Sequence, residues 1–511
     1  MGITYLEIGQ LDECLYHFLL AAKKDQKNFY CFYYLGRCYG EMKNYDKARR
    51  CYETSIKLYP SYSEAAMELS KIYRILKQWD SNTNLLKTIT KDRITKQNVW
   101  AWLQLGLNLL EQGDNDLAAE YLKKVSRIDS ENAHCWEALA DAYLSRGGYV
   151  SAQKAYERVL EISDDALYPS LQIATIKKDL GHLQESIHDF ESLLMRTKNC
   201  MLTLTGLAET CLKQAKEYFL EQRLGAARDY AQYAVEAVTG AIKQYSELSC
   251  LWKILGDCCM VVTKLPDRYC CLMIMKAVDE GIDIEGNKIL ERDSLFQLAA
   301  KCYCKASVLI ETKEYIWHDL AACYLCQAKQ CEDKDVIDDL LEKARAIIQQ
   351  CTTVNPGCWQ HWNLLGNIAM TFDPPNYALA QHAFIKSVSL DHNCAVAWCN
   401  LGVIYLINNN LKLANKAFAE AQRSDPDYIQ SWIGQGLLAE ITDNESEAMD
   451  LFRHSTSLGF HPQGAVGYGD LVCRKVTASP LNLTSYDIEK LHAIPVACDA
   501  LTWLTGRCCA S

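Results

Sequence analysis

Cys323-Tyr-Leu-Cys326, with Cys331 five residues further on, comes nearer to metal-site spacing than anything else in this chain. A structural zinc centre wants four ligands, usually as two paired groups. No second Cys-x-x-Cys exists, and Cys258–Cys259 and Cys270–Cys271 are vicinal, so these sulfurs read as structural thiols. Nucleophile and phosphate templates are absent too: there is no G-x-x-x-x-G-K-[ST] loop, H-E-x-x-H helix or G-x-S-x-G elbow. The 11 histidines do not cluster. His382 and His454 fall on outward or seam positions of predicted helices, and carboxylate pairs such as Asp338–Asp339 read as helix surface. The last four residues, Cys508–Cys509–Ala510–Ser511, match a prenylation box in form only, because Cys509 is weakly aliphatic and no polybasic run precedes it. The expectation is no catalytic residue, no metal and no cofactor.

Composition narrows the class further. The 511 residues carry 53 Lys and Arg against 64 Asp and Glu, a net charge of −11. That balance argues against a nucleic-acid channel made by this chain alone, and no direct nucleic acid is expected. Basic clusters such as Lys47–Ala48–Arg49–Arg50 read as solvated helix faces. No apolar run reaches membrane-spanning length, the first residues lack a signal-peptide pattern, and Leu6 breaks the myristoylation pattern. The 25 cysteines form no regular framework. They fit reduced thiols acting as small hydrophobes, so a cytoplasmic protein, also compatible with the nucleus, is expected.

The elements that place these side chains follow from one period. Residues 133–166 carry Trp136, Leu139, Ala140, Tyr143, Gly147, Ala152, Tyr156 and Val159; residues 395–428 carry Trp398, Leu401, Gly402, Tyr405, Ala414, Phe418, Ala421 and Pro426 in the same phase. Large residues at positions 4, 7, 11 and 24 and small ones at 8, 20 and 27 of a 34-residue unit resemble the tetratricopeptide repeat. Positions 4, 7 and 11 share one face of a first helix, and 20, 24 and 27 one face of a second. The small residues let the two backbones approach around the ring at position 24. One such hairpin cannot bury its apolar face alone, so the predicted architecture is all-α: a right-handed superhelical solenoid of stacked antiparallel helix pairs.

About twelve units are legible, in an N-terminal array over 1–200, a stretched, degenerate stretch over 201–312, a C-terminal array over 313–462, and a partial repeat or truncated end over 463–511. The run from Gly225 to Tyr245 looks longer than a standard helix of this type, and insertions fall near 262–290 and 327–338, where surface loops are expected. Positions 2, 5, 9, 12 and 13 of each first helix line the concave face in such superhelices. Asn363 and Asn367 stand there without the lysine and arginine a carboxylate clamp needs, while Leu103 and Leu107, Cys399 and Val403, and Ile433 and Leu437 are apolar or thiol. Two readings stand side by side: a groove that buries partner helices or extended segments, or tight packing of the superhelix on itself.

Strings beyond the repeat slots are more specific. W-E-A-L-A-D-A-Y-L-S-R-G-G-Y at 136–149, N-Y-A-L-A-Q-H-A-F-I-K-S at 376–387, A-V-A-W-C-N-L-G-V-I-Y-L at 395–406 and M-D-L-F-R-H-S-T at 449–456 resemble the tetratricopeptide scaffold subunit of the animal superkiller (Ski) complex. The resemblance implies a non-catalytic scaffold that carries a DExH-type RNA helicase and WD-repeat subunits. That assembly feeds mRNA to the cytoplasmic RNA exosome and thereby meets the ribosome indirectly. Family members are longer, and this chain is expected to match their middle section, without the C-terminal arm that contributes most to holding partners. The alternatives are a generic repeat adaptor binding another partner through its concave groove, and a repeat-linked enzyme, for which too few residues lie outside the repeats.

Overall fold

The computed structural model describes residues 2–478 apart from 9, 92–93, 96–97, 198–199, 276–286, 311–313 and 460. Most of the partial unit expected over 463–511, with the terminal Cys508–Cys509–Ala510–Ser511, lies outside the described residues. The chain divides into two compact units, Met1–Leu193 and Leu194–Ser511. Within the first, antiparallel pairs follow one another: Gly2–Ile8 with Leu11–Lys24, Phe29–Glu41 with Tyr45–Leu58, Ser63–Ile75 with Trp79–Ile89, Val99–Gln112 with Asn115–Ser126, and Ala133–Ser145 with Tyr149–Ile162. Leu167–Asp179 and Leu183–Arg196 follow. The second unit pairs Met201–Leu220 with Leu224–Ile242, Ser249–Thr263 with Arg292–Leu309, and Glu314–Ala328 with Lys334–Val354. Trp359–Thr371 with Tyr377–Leu390, Ala395–Ile407 with Leu411–Ser424 and Ile429–Ile441 with Glu445–Leu458 follow, then Pro462–Ala478. The predicted solenoid of paired helices is thus the observed one.

Repetition extends to single hydrogen bonds. The indole N–H groups of Trp136, Trp252, Trp362, Trp398 and Trp432 each donate to the carbonyl six residues earlier (Ser130, Ser246, Pro356, His392 and Pro426) at 2.8–3.0 Å. A large ring at position 4 therefore also locks the turn that delivers its helix. Between the two helices of a unit, the residue at position 15 takes a left-handed conformation: Gly113, Gly147 and Gly181, but also Lys43, Lys77, Asn409 and Asp443. The next N–H then bonds back to position 11, as Gly148 does to Tyr143 at 2.8 Å and Asn410 to Tyr405 at 2.8 Å. This is the glycine-type helix stop, and it explains Gly147 in the sequence pattern.

Ala152, Tyr156, Ala414 and Phe418 are fully buried, while Trp136 and Trp398 are partly buried along the seams between units. A Cβ added at Gly402 would meet the Phe418 ring at 2.7 Å, and one at Gly36 the Tyr52 ring at 2.7 Å. Small residues at position 8 are therefore set by contact with the ring at position 24. Gly36→Ala should cost about 1–3 kcal/mol, read as a lower urea midpoint with unchanged slope; an unaltered midpoint would mean that the pair is slack.

Two expectations change. The insertion near 262–290 contains a two-stranded antiparallel hairpin, β1 (Cys271–Met275) and β2 (Asn287–Glu291), a departure from purely helical content. Leu272, Ile274 and Leu290 are buried, and Gln232 on the long helix Leu224–Ile242 clasps Met273 through both of its main-chain groups at 2.8 and 2.9 Å. The insertion around 327–338 is mostly not a loop: its second half opens the 21-residue helix Lys334–Val354. Asp333 caps that helix by accepting from the Asp335 N–H at 3.1 Å, so the acidic run starts a helix instead of interrupting one.

Candidate partner-binding surface

In four units, position 9 of the first helix answers the ring at position 24. In two of them that ring is a tyrosine and an aspartate receives its hydroxyl: Tyr156 donates to Asp141 at 2.5 Å, and Tyr303 to Asp257 at 2.7 Å. Tyr168 adds a second bond to Asp141 at 2.9 Å. Burial first, and then the aspartate beside each, push the Tyr156 and Tyr303 hydroxyls far above the usual phenol range. In the other two the ring is Phe418 or Phe452 and position 9 is Val403 or Leu437, with no hydroxyl to satisfy. Asp141 and Asp257 thus complete the core, whereas Val403 and Leu437 have no such internal duty.

The structure separates the sequence-predicted groove residues. Val403 and Leu437 are 39% and 41% exposed, but Cys399 and Ile433 are only 4% and 3% exposed. Cys399 packs with Ala414, Phe418 and Leu438, and Ile433 with Phe452, Tyr468 and Leu471. Those two belong to the core and drop out of any docking surface, because packing against adjoining helices covers position 5. Leu103 and Leu107 are partly buried against the cluster of Leu122, Val125, Cys135 and Leu139. Asn363 accepts from Asn400 at 2.9 Å, and Asn367, one turn further along the same helix, is partly buried.

Position 13, already assigned to the concave face, adds two apolar residues not named from the sequence. Ile407 and Ile441 end their helices exposed, one turn beyond Val403 and Leu437. Equal positions on first helices that touch each other bring the four into one apolar patch. Of the 39 residues in Trp359–Thr371, Ala395–Ile407 and Ile429–Ile441, only Glu440 is charged, although charged residues make up 23% of the chain. Glu440 is held by Arg474 at 3.1 Å at one margin, and the Asn363–Asn400 amides stand at the other. An uncharged apolar centre with a polar margin is the anatomy of a protein interface.

Leu437→Glu and Ile433→Glu therefore separate surface from core. The first should leave the urea midpoint within about 0.5 kcal/mol, whereas the second buries an unpaired carboxylate and should cost several kcal/mol. Equal losses in the two variants would refute the assignment.

Among the described residues no group of three or more His, Cys, Asp or Glu is placed to hold a metal ion. Cys323 is buried, with its thiol directed at the Phe296 carbonyl at 3.7 Å. No described helix is long and apolar enough to cross a membrane.

Family profiles of the tetratricopeptide repeat match residues 29–62, 109–172 and 395–428. Tetratricopeptide repeat protein 37 of Xenopus laevis is 35% identical over 501 residues, which are 96% of this chain and 32% of that protein. Human superkiller complex protein 3 is 33% identical over 511 residues, covering 97% of this chain and 32% of its own length. Superkiller protein 3 of Saccharomyces cerevisiae is 19% identical over 84% of this chain and 31% of its own. The chain spans about a third of the length of these relatives. It is a tetratricopeptide-repeat protein, homologous over 97% of its length to superkiller complex protein 3.

Proposed function

We propose that this chain is a non-catalytic protein-interaction scaffold of the superkiller complex, assisting the cytoplasmic RNA exosome in 3′-to-5′ mRNA decay. The observation that carries this reading is similarity to superkiller complex protein 3 of mouse and human over 97% of this chain, at 32–33% identity. Repeat packing alone does not require such similarity. The partners are a DExH-type RNA helicase and WD-repeat subunits, with the exosome and ribosome reached through them. The uncharged patch of Val403, Ile407, Leu437 and Ile441 supplies a surface on which a partner segment can be buried.

The test is affinity purification of the tagged full chain from cytoplasmic extract, with mass spectrometry. Helicase and WD-repeat subunits should be recovered, and Val403→Asp with Leu437→Asp should cut their yield at least tenfold while the fold is retained. Recovery of neither subunit would overturn the assignment. Recovery of an unrelated partner that the double variant abolishes would favour the generic adaptor.

A further inference from the structure

Charge is distributed very unevenly along this acidic chain. Residues 23–96 hold 16 Lys and Arg against 8 Asp and Glu, while all the rest hold 37 against 56. The surplus has a repeat register: Lys23, Lys57 and Lys91 lie 34 residues apart, and Arg127 takes the equivalent place in the next pair. Each sits in the last turn of a second helix or just past its C-terminus, the helices being Leu11–Lys24, Tyr45–Leu58, Trp79–Ile89 and Asn115–Ser126. Lys24, Lys27 and Lys87 join them, and all seven are exposed and form no ion pair with described residues.

A cation at a helix C-terminus also answers the helix dipole. That cause would act equally on Tyr149–Ile162, Tyr377–Leu390 and Glu445–Leu458, whose last turns carry no basic residue. Four consecutive helix ends therefore need a further reason. Acids do share this edge, but Asp25 accepts from the Lys27 N–H at 3.0 Å and Asp129 from the Asn132 amide at 3.1 Å, so both serve their turns; Glu131 is exposed among them.

Aromatic rings are interleaved with these cations. Tyr30 and Tyr59, both about half exposed, flank Phe29 with ring centroids at 4.2 and 4.8 Å, and Tyr59 lies nearly parallel to Phe29. Tyrosines in a short stack beside an unpaired row of lysines combine the two things a single strand needs: cations for its phosphates and faces for its bases. An acidic peptide would use the lysines but not the rings. We infer that this edge of the Met1–Leu193 unit is a docking strip for single-stranded nucleic acid, a property that does not depend on the scaffold assignment.

The test is fluorescence anisotropy of the full chain with a labelled 20-nucleotide oligouridylate between 50 and 200 mM salt. Oligothymidylate, a duplex of equal length and polyglutamate serve as competitors. Lys23→Gln, Lys57→Gln and Lys91→Gln together should weaken binding at least tenfold and flatten the log–log salt dependence by about 2, at about 0.7 per lost phosphate contact. Tyr30→Ala with Tyr59→Ala should weaken binding without changing that slope. All five residues are exposed, and circular dichroism checks that the variants fold. Absence of binding at 50 mM salt, competition by polyglutamate or duplex as effective as by the single strand, or indifference to the lysine variant would each overturn the inference.

Discussion

Phe418→Ala lowers the stability of the Leu194–Ser511 unit by about 3–5 kcal/mol, the range for removing a fully buried aromatic ring. The ring is fully buried among Ala414, Ala421, Cys399 and Leu438. Two first helices press on it with glycines: Gly402 from its own pair and Gly434 from the next. Backbone that close on two sides cannot collapse into the void without unstacking neighbouring pairs, so the loss belongs at the upper end of the range. Because each pair contacts only its neighbours, amide-exchange protection should fall over 395–458 and leave Met201–Ile242 nearly unchanged. Gly434→Ala supplies an internal check. In the native chain its methyl group overlaps ring atoms of Phe418, at a cost of about 1–3 kcal/mol. In the Phe418→Ala background the same methyl group grows into the cavity, and the cost should vanish. Strict additivity of the two changes would show that ring and backbone are not in contact.

That ring–glycine relation was legible in the sequence, and the reason is physical. A small residue at position 8 and a ring at position 24 are each set by the inside of one helix pair, so 34 residues contain all the information. The indole bonds of Trp136 and Trp398 are equally local, reaching six residues back. Groove residues are different. Position 5 and position 9 both read as apolar, and which of them stays exposed depends on how closely adjoining helices approach. Cys399 and Ile433 lost their place to that approach, while Ile407 and Ile441, at a position already assigned to the concave face, stay exposed. The hairpin was hidden for another reason. Cys271–Met275 is a five-residue apolar run whose alternation shows only once Leu272 and Ile274 turn inward and Met273 outward. A run that short reads equally well as buried helix. The lengthened helix Lys334–Val354 escaped notice because Glu332, Asp333, Lys334 and Asp335 carry the composition of a loop, and Asp333 converts it into a cap.

The other large effect concerns the place where the hairpin-bearing pair meets the next one. Lys253 lies 3.0 Å from Asp257 and 3.2 Å from Asp319, on two successive first helices, and Tyr303 holds the far oxygen of Asp257. Burial opposes the Lys253 charge, but Asp257 and Asp319 outweigh it and raise its pKa. Burial likewise opposes the Asp319 charge, and His318 with Lys253 outweighs it and lowers the carboxyl below its usual range. A raised lysine contributes stability below its unfolded value near 10.4 and loses it as pH climbs through the folded value. A lowered aspartate contributes above its unfolded value near 3.9 and loses it as pH falls through the folded one. The cluster therefore acts at full strength between about pH 4 and pH 10. Lys253→Met removes the cation and leaves two carboxylates facing each other. Breaking a fully buried pair costs about 3–5 kcal/mol; with roughly a third of Lys253 and Asp319 open to screening water, about 2 kcal/mol is expected at pH 7. In Lys253→Met, Asp319 loses the cation that helps lower its pKa and takes up its proton at higher pH than in the native chain, so the deficit should shrink toward pH 4, and Lys253→Arg should recover most of it. Urea midpoints for the three proteins from pH 4 to pH 8 decide the matter: a Lys253→Met deficit that is absent at pH 7, or that widens toward pH 4, would mean that the ions do not hold these helices together.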